Sequence, residues 1–323
     1  MYTEDDYKKI FSDLEFQELE PIKKDIKSGY YISHGKIKDN EVVIRILTKT
    51  DKLRVKNYKK ELAISKILNN GRPKELLSKF ACTREIGENN KFIWSIRNYV
   101  DGEVISLYDP KKILMGFDEI NSKFEDKQDS IIDGIKENLE FLWSIEPTKE
   151  DIKLGERFDK NIDQNKIKFI ESNLGFSLSK QVKIYNENKD KIFSSENIKA
   201  SFGDLIPANI IYTTNEKVVF LDFEWFSFDH YLADVSFLWL YLWKYPDWQK
   251  KLLESFIDTE DKKKSFQINV LRQLIGFYSQ YIYNQSEDIS GSVIEKRNIF
   301  PKHIFTRYME SAGESYEDLI NTK

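Results

Sequence analysis

Three polar residues stand where the surrounding sequence favours burial: Asp204, Asn209 and Asp222. Asp222 directly follows the apolar run Val-Val-Phe-Leu, at the end of a predicted strand. A buried carboxylate is costly unless it meets a cation or hydrogen-bond donors, and a divalent metal ion is the natural partner. Because Mg²⁺ prefers oxygen ligands and takes one or two from the protein, Asp222 and the side-chain oxygen of Asn209 are candidate metal ligands.

Asp204 precedes Asn209 in a predicted loop. A carboxylate held in such a loop can orient a hydroxyl group and accept its proton while the oxygen attacks a γ-phosphate. Asp204 is therefore the candidate general base. The alternative is that the Asp-Leu-Ile-Pro sequence caps a helix and that Asp222 caps a separate turn.

The sequence SFGDLIPAN at residues 201–209 resembles the catalytic loop of the aminoglycoside phosphotransferase and choline kinase family, whose pattern is His-Gly-Asp, four residues, Asn. Asn209 and Asp222 are 13 positions apart, as in the protein kinases, with which this family shares its fold. The resemblance implies an enzyme that transfers a phosphate from ATP or GTP to a small-molecule hydroxyl with the help of Mg²⁺. It makes Asp204 the base, and Asn209 and Asp222 the metal ligands.

The loop departs from the family pattern because Phe202 replaces the usual histidine. In the family this histidine is expected to pack behind the loop, so a phenylalanine ring would keep the packing and lose a hydrogen bond. Ile206 stands two positions after the base, where protein kinases that act on serine or threonine have lysine. This difference favours a small-molecule substrate.

Two acidic residues beyond the loop also resemble family positions. Asp234, in Leu-Ala-Asp-Val, resembles the aspartate that accepts hydrogen bonds from the backbone of the catalytic loop. Capping of the following helix is the alternative role. Glu224 lies in an Asp-Phe-Glu sequence that choline kinases share. It is a candidate second metal ligand or a group that binds a substrate amine.

The sequence EVVIRIL at residues 41–47 predicts a strand whose alternation puts Val43, Arg45 and Leu47 on one face. It resembles the Val-Ala-Ile-Lys strand of kinases with Arg45 at the lysine position, which implies that Arg45 grips nucleotide phosphates. Glu61 follows on a predicted helix and is expected to pair with Arg45. The alternative is an edge-strand arginine and an exposed helix glutamate.

Residues 91–102 resemble the hinge strand of the family, with its ending Tyr-Val-Asp-Gly. The resemblance implies that backbone groups of Asn98, Tyr99 and Val100 read the edge of the nucleotide base. Val43 belongs to the same predicted nucleotide-binding set.

The composition excludes several classes of protein. With 323 residues, 40% hydrophobic content and a formal net charge of −4, the chain predicts a folded protein with no general affinity for nucleic acid. The single cysteine, Cys82, has no second cysteine with which to form a disulfide within the chain. Together with three scattered histidines it would make a poor zinc site. The longest apolar run, near residues 235–243, is too short to span a membrane. Without a signal-peptide pattern at the N-terminus, we expect a cytoplasmic protein that does not bind membranes.

The element order and the resemblance together predict an α+β, bilobal protein-kinase-like fold. A nucleotide-binding, β-rich lobe is expected at residues 1–99, and a larger, mostly helical catalytic and substrate-binding lobe at residues 100–323. The predicted strands are at residues 29–37, 41–47, 80–85 and 91–100, the helices include 56–68, 129–145 and 175–192, and a hairpin is predicted at 210–221.

The phosphate acceptor is less well defined by the sequence. Residues 116–141 carry 8 acidic residues against 3 lysines, and aromatic residues cluster at 225–248. These features favour a cationic amino alcohol or an aminoglycoside, although such aromatics are also typical of a buried core. Two rival functions are a nucleotide-binding regulatory module with weak or no catalysis, which Phe202 and Arg45 suggest, and a protein kinase, which Ile206 disfavours.

Overall fold

The computed structural model describes residues 3–25, 30–49, 52–69, 79–106, 119–145, 161–283 and 302–322. It divides into two units, Met1–Glu103 with Ile211–Trp225, and Val104–Ile210 with Phe226–Lys323. Antiparallel strands dominate the first unit and helices the second, so the predicted α+β class is confirmed. Across the described ranges, no helix is both long enough and apolar enough to cross a membrane.

The first unit is built on a five-stranded antiparallel sheet with the strand order β1-β2-β3-β5-β4. Its strands are β1 (Phe16–Asp25), β2 (Tyr30–Ile37), β3 (Asn40–Thr48), β4 (Thr83–Glu88) and β5 (Phe92–Asn98). Helix α1 (Glu4–Asp13) precedes the sheet, and α2 (Lys52–Asn69) lies between β3 and β4 in the sequence.

The central strand β3 is apolar on both faces because different residues pack against each face. Ile44 belongs to a buried cluster with Tyr7 of α1. Leu47, on the opposite face, packs with Tyr58 of α2. Since side chains alternate along a strand, Arg45 shares the face of Leu47, towards α2.

The N-terminal region differs from the sequence prediction, which contained neither α1 nor β1. Strand β1 (FQELEPIKKD) is an edge strand with exposed side chains on much of its length, including Leu19 and Ile22. Such a strand lacks the alternation of apolar and polar residues that identifies a half-buried strand. Its bulges and Pro21 are typical of an exposed sheet edge.

The strand predicted at residues 80–85 was wrong in its bounds, because β4 begins at Thr83 and continues to Glu88 through part of the predicted turn. The turn is short because the Asn89 side-chain oxygen accepts the backbone N–H groups of Lys91 and Phe92, at 2.9 and 2.8 Å. Such local side-chain bonds replace longer turns.

The hairpin predicted at residues 210–221 is confirmed as β8 (Ile210–Thr213) and β9 (Val218–Phe220). A third strand, β6 (Gly102–Val104), pairs with β8. A Cβ atom on Gly102 would lie 2.6 Å from the Thr213 Cα atom, so only glycine permits this approach. The glycine of the Tyr-Val-Asp-Gly ending therefore has a packing role.

The second unit contains a short antiparallel pair of strands, β7 (Ile198–Ser201) and β10 (Ser227–His230), which the sequence did not predict. Its helices are α3 (Gln128–Trp143), α4 (Gln164–Leu174), α5 (Ser179–Ile192), α6 (Ala233–Tyr241), α7 (Pro246–Phe256), α8 (Glu260–Tyr283), α9 (Lys302–Ala312) and α10 (Tyr316–Ile320).

The helix predicted at residues 129–145 is confirmed as α3, but the one predicted at 175–192 begins later, at Ser179. Gly175 has a φ of 79° and ends α4, donating its N–H to the Glu171 carbonyl. A left-handed glycine at this position closes the preceding helix and does not open the next one.

A buried histidine occupies the end of β10. The His230 Nδ1 atom accepts the Leu232 N–H at 3.0 Å and lies 3.0 Å from the Asn269 amide nitrogen. Both partners are donors, so Nδ1 carries no proton and the imidazole is neutral. Burial lowers the pKa of His230 to about 3, and the positive charge of Arg272 adds to the effect.

This histidine should make the protein sensitive to acid. The unfolded chain takes up a proton at His230 near pH 6.5, and the folded protein only near pH 3. The stability that His230 contributes is thus fully present above about pH 6.5 and is lost as the pH falls, by about 2 kcal/mol between pH 7 and pH 5. Urea unfolding at both pH values should show that His230→Asn, which keeps an acceptor and cannot titrate in this range, loses less stability than the parent.

His303→Asn, at an exposed histidine, is the matched control and should behave as the parent. An equal loss in the parent and in His230→Asn would contradict the interpretation.

Candidate active site

In the first unit, the structure brings Arg45 and Glu61 together in a buried ion pair. The Arg45 Nη1 atom donates to both Glu61 carboxylate oxygens, at 3.0 and 3.3 Å. Glu61 is completely buried and the Arg45 side chain is 7% exposed. Losing one partner of such a pair leaves an uncompensated buried charge, which typically costs about 3–5 kcal/mol. The arginine is therefore held in one orientation.

Arg45 also packs on an aromatic residue that the sequence interpretation missed. Its guanidinium carbon lies 4.7 Å from the centre of the Tyr58 ring. Tyr58 precedes Glu61 by three positions on α2, so both lie on one face of the helix. This spacing was visible in the sequence, but an aromatic residue on an amphipathic helix usually indicates core packing alone.

Asp222 follows β9 and has a φ of 67°, a left-handed conformation that is uncommon for residues other than glycine. One carboxylate oxygen, Oδ2, lies 3.9 Å from Arg45 Nη2. The other, Oδ1, is buried and accepts no hydrogen bond from any residue that the structure describes. A buried oxygen without a donor is costly unless a cation completes it, so Asp222 fits the predicted metal ligand.

Two further metal ligands were predicted besides Asp222. Glu224 lies in the short 3₁₀ helix Phe223–Trp225, and its side chain is outside the described residues. Asn209 belongs to the second unit. Among the residues that the structure describes, no three histidine, cysteine or acidic side chains form a metal-binding group. The metal prediction therefore rests on Asp222 and Asn209.

In the second unit, Asn209 fixes Asp204 directly. The Asn209 Nδ2 group donates to the Asp204 backbone carbonyl and to its Oδ2 atom, both at 2.9 Å. Because the amide nitrogen faces Asp204, the amide oxygen points away from Asp204, as the predicted role of metal ligand requires. Asn209 ends the 3₁₀ helix Pro207–Asn209, and the Ile206 N–H donates to the Asp204 carbonyl. These bonds keep the carboxylate of the candidate base in place.

Asp234, near the start of α6, holds the preceding part of this loop. Its two carboxylate oxygens accept the N–H groups of Phe202 and Gly203, each at 2.8 Å. Burial raises the pKa of Asp234 to about 6, and the two N–H donors oppose part of the rise. Gly203 has a φ of 81°, which favours glycine at this point of the loop. Asp234 thus binds the backbone of this loop at two consecutive residues.

The ring of Phe202 is completely buried. Its position in the loop is set by the backbone N–H bond to Asp234, which does not depend on the side chain. The ring supplies packing in the place of the usual histidine.

At the predicted hinge, Asn98 ends β5 and pairs with Val42, while the Tyr99 N–H donates to the Glu41 carbonyl at 3.2 Å. That N–H is therefore committed to the sheet, although the sequence interpretation had assigned the backbone of Asn98, Tyr99 and Val100 to base recognition. Val43 lies on β3, on the face that bears Arg45.

The Tyr99 ring stacks on His34 of β2, with 3.7 Å between the ring centroids and 9° between the planes. Burial raises the pKa of Tyr99, and the nearby acidic residues Asp101, Glu20 and Glu41 add to the effect. The sequence interpretation assigned His34 no role.

No protein-family model and no curated protein sequence matches the chain. Solved structures do match it. An aminoglycoside 2'-phosphotransferase in complex with GDP gives a TM-score of 0.57 at 12% identity, covering 94% of this chain and 95% of that one. A spectinomycin phosphotransferase with ADP and spectinomycin gives 0.57 at 11%, covering 98% of both chains. An aminoglycoside phosphotransferase with ADP and hygromycin B gives 0.56 at 9%, covering 98% and 97%.

Each match covers nearly the full length of this chain and of the matched chain, so the matches establish the fold. The fold is that of the aminoglycoside phosphotransferases. The kinase-like fold predicted from the element order and the family resemblance is thereby confirmed. Within this fold, the two hydrogen bonds that Asp234 accepts from the loop can be tested directly by mutation.

Asp234→Asn should destabilise the second unit and loosen this loop. Asparagine has one acceptor oxygen, so one of the two N–H bonds is lost and an NH₂ group faces the other donor. We expect a loss of about 1–3 kcal/mol in the free energy of unfolding. Amide hydrogen exchange should accelerate at Phe202 and Gly203.

Asp258→Asn is the control, because Asp258 pairs with Lys262 at an exposed position where such pairs contribute little. If both variants left exchange at Phe202 and Gly203 unchanged, Asp234 would have no role in holding the loop.

Proposed function

We propose that the chain is an enzyme that, with Mg²⁺ bound, transfers the γ-phosphate of ATP or GTP to a hydroxyl group of a small molecule. The observation that carries the proposal is the pair of hydrogen bonds by which Asn209 fixes Asp204, in a loop whose backbone is bound to Asp234. Together with the fold, this arrangement favours a positioned base over a simple turn.

In the proposed reaction, Asp204 orients the acceptor hydroxyl and takes its proton as the oxygen bonds to the γ-phosphorus. The bond from the γ-phosphorus to the bridging oxygen breaks, and the nucleoside diphosphate leaves. Proton transfer to a positioned carboxylate typically contributes about 10²- to 10⁴-fold to such a rate.

Asp222 and Asn209 are the proposed ligands of the metal ion, which when bound would neutralise charge on the β- and γ-phosphates. The support is the buried Oδ1 atom of Asp222, which has no donor among the described residues, and the orientation of the Asn209 amide. Arg45 is proposed to bind phosphate oxygens through its guanidinium group, with Glu61 holding it in place.

For the acceptor, we propose a cationic hydroxyl compound. On α3 and the 3₁₀ helix before it, the acidic side chains are exposed, among them Glu125, Asp126, Asp133, Glu137 and Glu140. The related structures contain hygromycin B and spectinomycin. The aromatic residues at 225–248 give less support, because several are core residues: Phe226, Phe228, Trp239, Tyr241 and Trp248 are buried.

The acceptor should emerge from an assay of nucleoside diphosphate release with choline, ethanolamine, aminoglycosides, sugars and homoserine. Turnover with cationic acceptors and none with neutral sugars is the expected result. A chain that binds nucleotide and turns over none of these compounds would instead fit the regulatory module.

Asp204→Asn should abolish most of the transfer while nucleotide binding persists. The asparagine carbonyl can still accept the Asn209 hydrogen bond, so the loop keeps its form and only the proton acceptor is lost. We expect the turnover number to fall about 10²- to 10⁴-fold, with the nucleotide dissociation constant from calorimetry within about twofold of the parent. Glu196→Gln, at an exposed acid before β7, should be neutral. Unchanged transfer in Asp204→Asn would falsify the assignment of the base.

Asp222→Asn should weaken the Mg²⁺-dependent part of nucleotide binding. Asparagine tolerates a positive φ, so this change removes the charge with little backbone strain, whereas alanine would add strain. A lost charged contact of about 1.5–3 kcal/mol corresponds to about 10- to 100-fold in affinity. Nucleotide titrations with and without Mg²⁺ measure it, and the same Mg²⁺ dependence in variant and parent would contradict the proposal.

A further inference from the structure

Arg45 is surrounded on three sides by residues of its own unit. Nη1 donates to Glu61, Nη2 faces Asp222 at 3.9 Å, and the guanidinium carbon lies over the Tyr58 ring at 4.7 Å. The three contacts use different parts of the guanidinium group, which are Nη1, Nη2 and one flat face. A planar, delocalised cation can make all of them at once.

The ring of Tyr58 is itself fixed. It is 2% exposed and packs with Leu47 of β3 and Ile93 of β5. Because Tyr58 and Glu61 share one face of α2, a single helix supplies both the ring below the guanidinium and the carboxylate at its edge. The ring therefore contacts the guanidinium from one side, and Glu61 binds one of its arms.

A lysine at position 45 would not make the same set of contacts. An ammonium group is a compact point charge with no flat face, so it cannot lie on the ring while directing two separate arms to two partners. Lysine could still contact Glu61 as a point charge, but it would lack the flat face that lies on the Tyr58 ring. The residue types at positions 45 and 58 are thus matched to each other.

We propose that Tyr58 is a positioning residue of the nucleotide site and that it makes arginine, and not lysine, the residue type that the site requires at position 45. By holding the guanidinium plane, Tyr58 keeps Nη1 on Glu61 and Nη2 on the side of Asp222, where a phosphate group of a nucleoside triphosphate would bind. The inference rests on the proposed function, because it takes Arg45 as the residue that binds the phosphates.

The test is a double-mutant cycle read as nucleotide affinity. The dissociation constant of ATP with Mg²⁺ is measured by calorimetry for the parent, Tyr58→Leu, Arg45→Lys and the double variant, with Tyr58→Phe as the conservative control. We expect Tyr58→Phe to stay within about twofold of the parent, because the ring is kept. Tyr58→Leu should bind about tenfold more weakly, because a guanidinium that the ring no longer holds must be ordered when the nucleotide binds.

The decisive comparison is the effect of Tyr58→Leu in the two backgrounds. If Tyr58 acts through Arg45, the substitution costs affinity in the arginine protein and little or nothing in Arg45→Lys. A purely structural tyrosine would give equal losses in both backgrounds, and that result would overturn the proposal. Thermal unfolding of every variant separates loss of affinity from loss of folded protein.

Arg45→Lys also tests the proposal without any change at Tyr58, should Tyr58→Leu fail to fold. It is expected to bind ATP about tenfold more weakly, and affinity equal to that of the parent would overturn the claim of arginine specificity. Binding by the parent without coupling between positions 45 and 58 rejects this inference alone. A parent that binds no nucleotide rejects the proposed function as well.

Discussion

The buried carboxylate of Glu61 is the constraint on which the first unit's site depends. A completely buried charge is tolerated only with a partner close by, and Arg45 supplies it from the middle of the sheet. This requirement fixes α2 against β3, because the helix must present Glu61 at the height of Arg45. It also directs the second arm of the guanidinium towards Asp222. One electrostatic requirement thus orders a helix, a strand and the residue after a hairpin.

The second unit follows the same principle, but the partner of its buried carboxylate is neutral. Asp234 is buried as well, but its compensation comes from two backbone N–H groups and not from a cation. Backbone donors cannot move independently of the chain, so satisfying the carboxylate fixes the conformation of the loop itself. Asn209 completes the arrangement from the other end of the loop. The candidate base is held between two such anchors.

Part of this was predictable from local patterns and part from the family resemblance. The alternation of β3 placed Arg45 on one face of the strand, the resemblance to the kinase strand implied its pairing with Glu61, and the run before Asp222 predicted a strand end. Strand β1 was not predictable, because its mostly exposed residues show no alternation of apolar and polar side chains. The start of α5 was not predictable either, because Gly175 ends the preceding helix, α4, and does not begin α5. Tyr58 was missed because stacking on a cation and packing in a core have the same sequence pattern. The use of the Tyr99 N–H depends on the register of two strands, which spacing along one strand does not define.

The phenylalanine at position 202 bears on how a family pattern should be interpreted. The loop is held to Asp234 through its main chain, so the geometry at Gly203 and Asp204 does not require a particular side chain at the preceding residue. What that residue must supply is volume, and the buried ring of Phe202 does so. A histidine there would bring an additional polar group into the same environment, and it would need its own partner. The departure therefore alters the packing behind the loop and leaves intact the contacts that position the base.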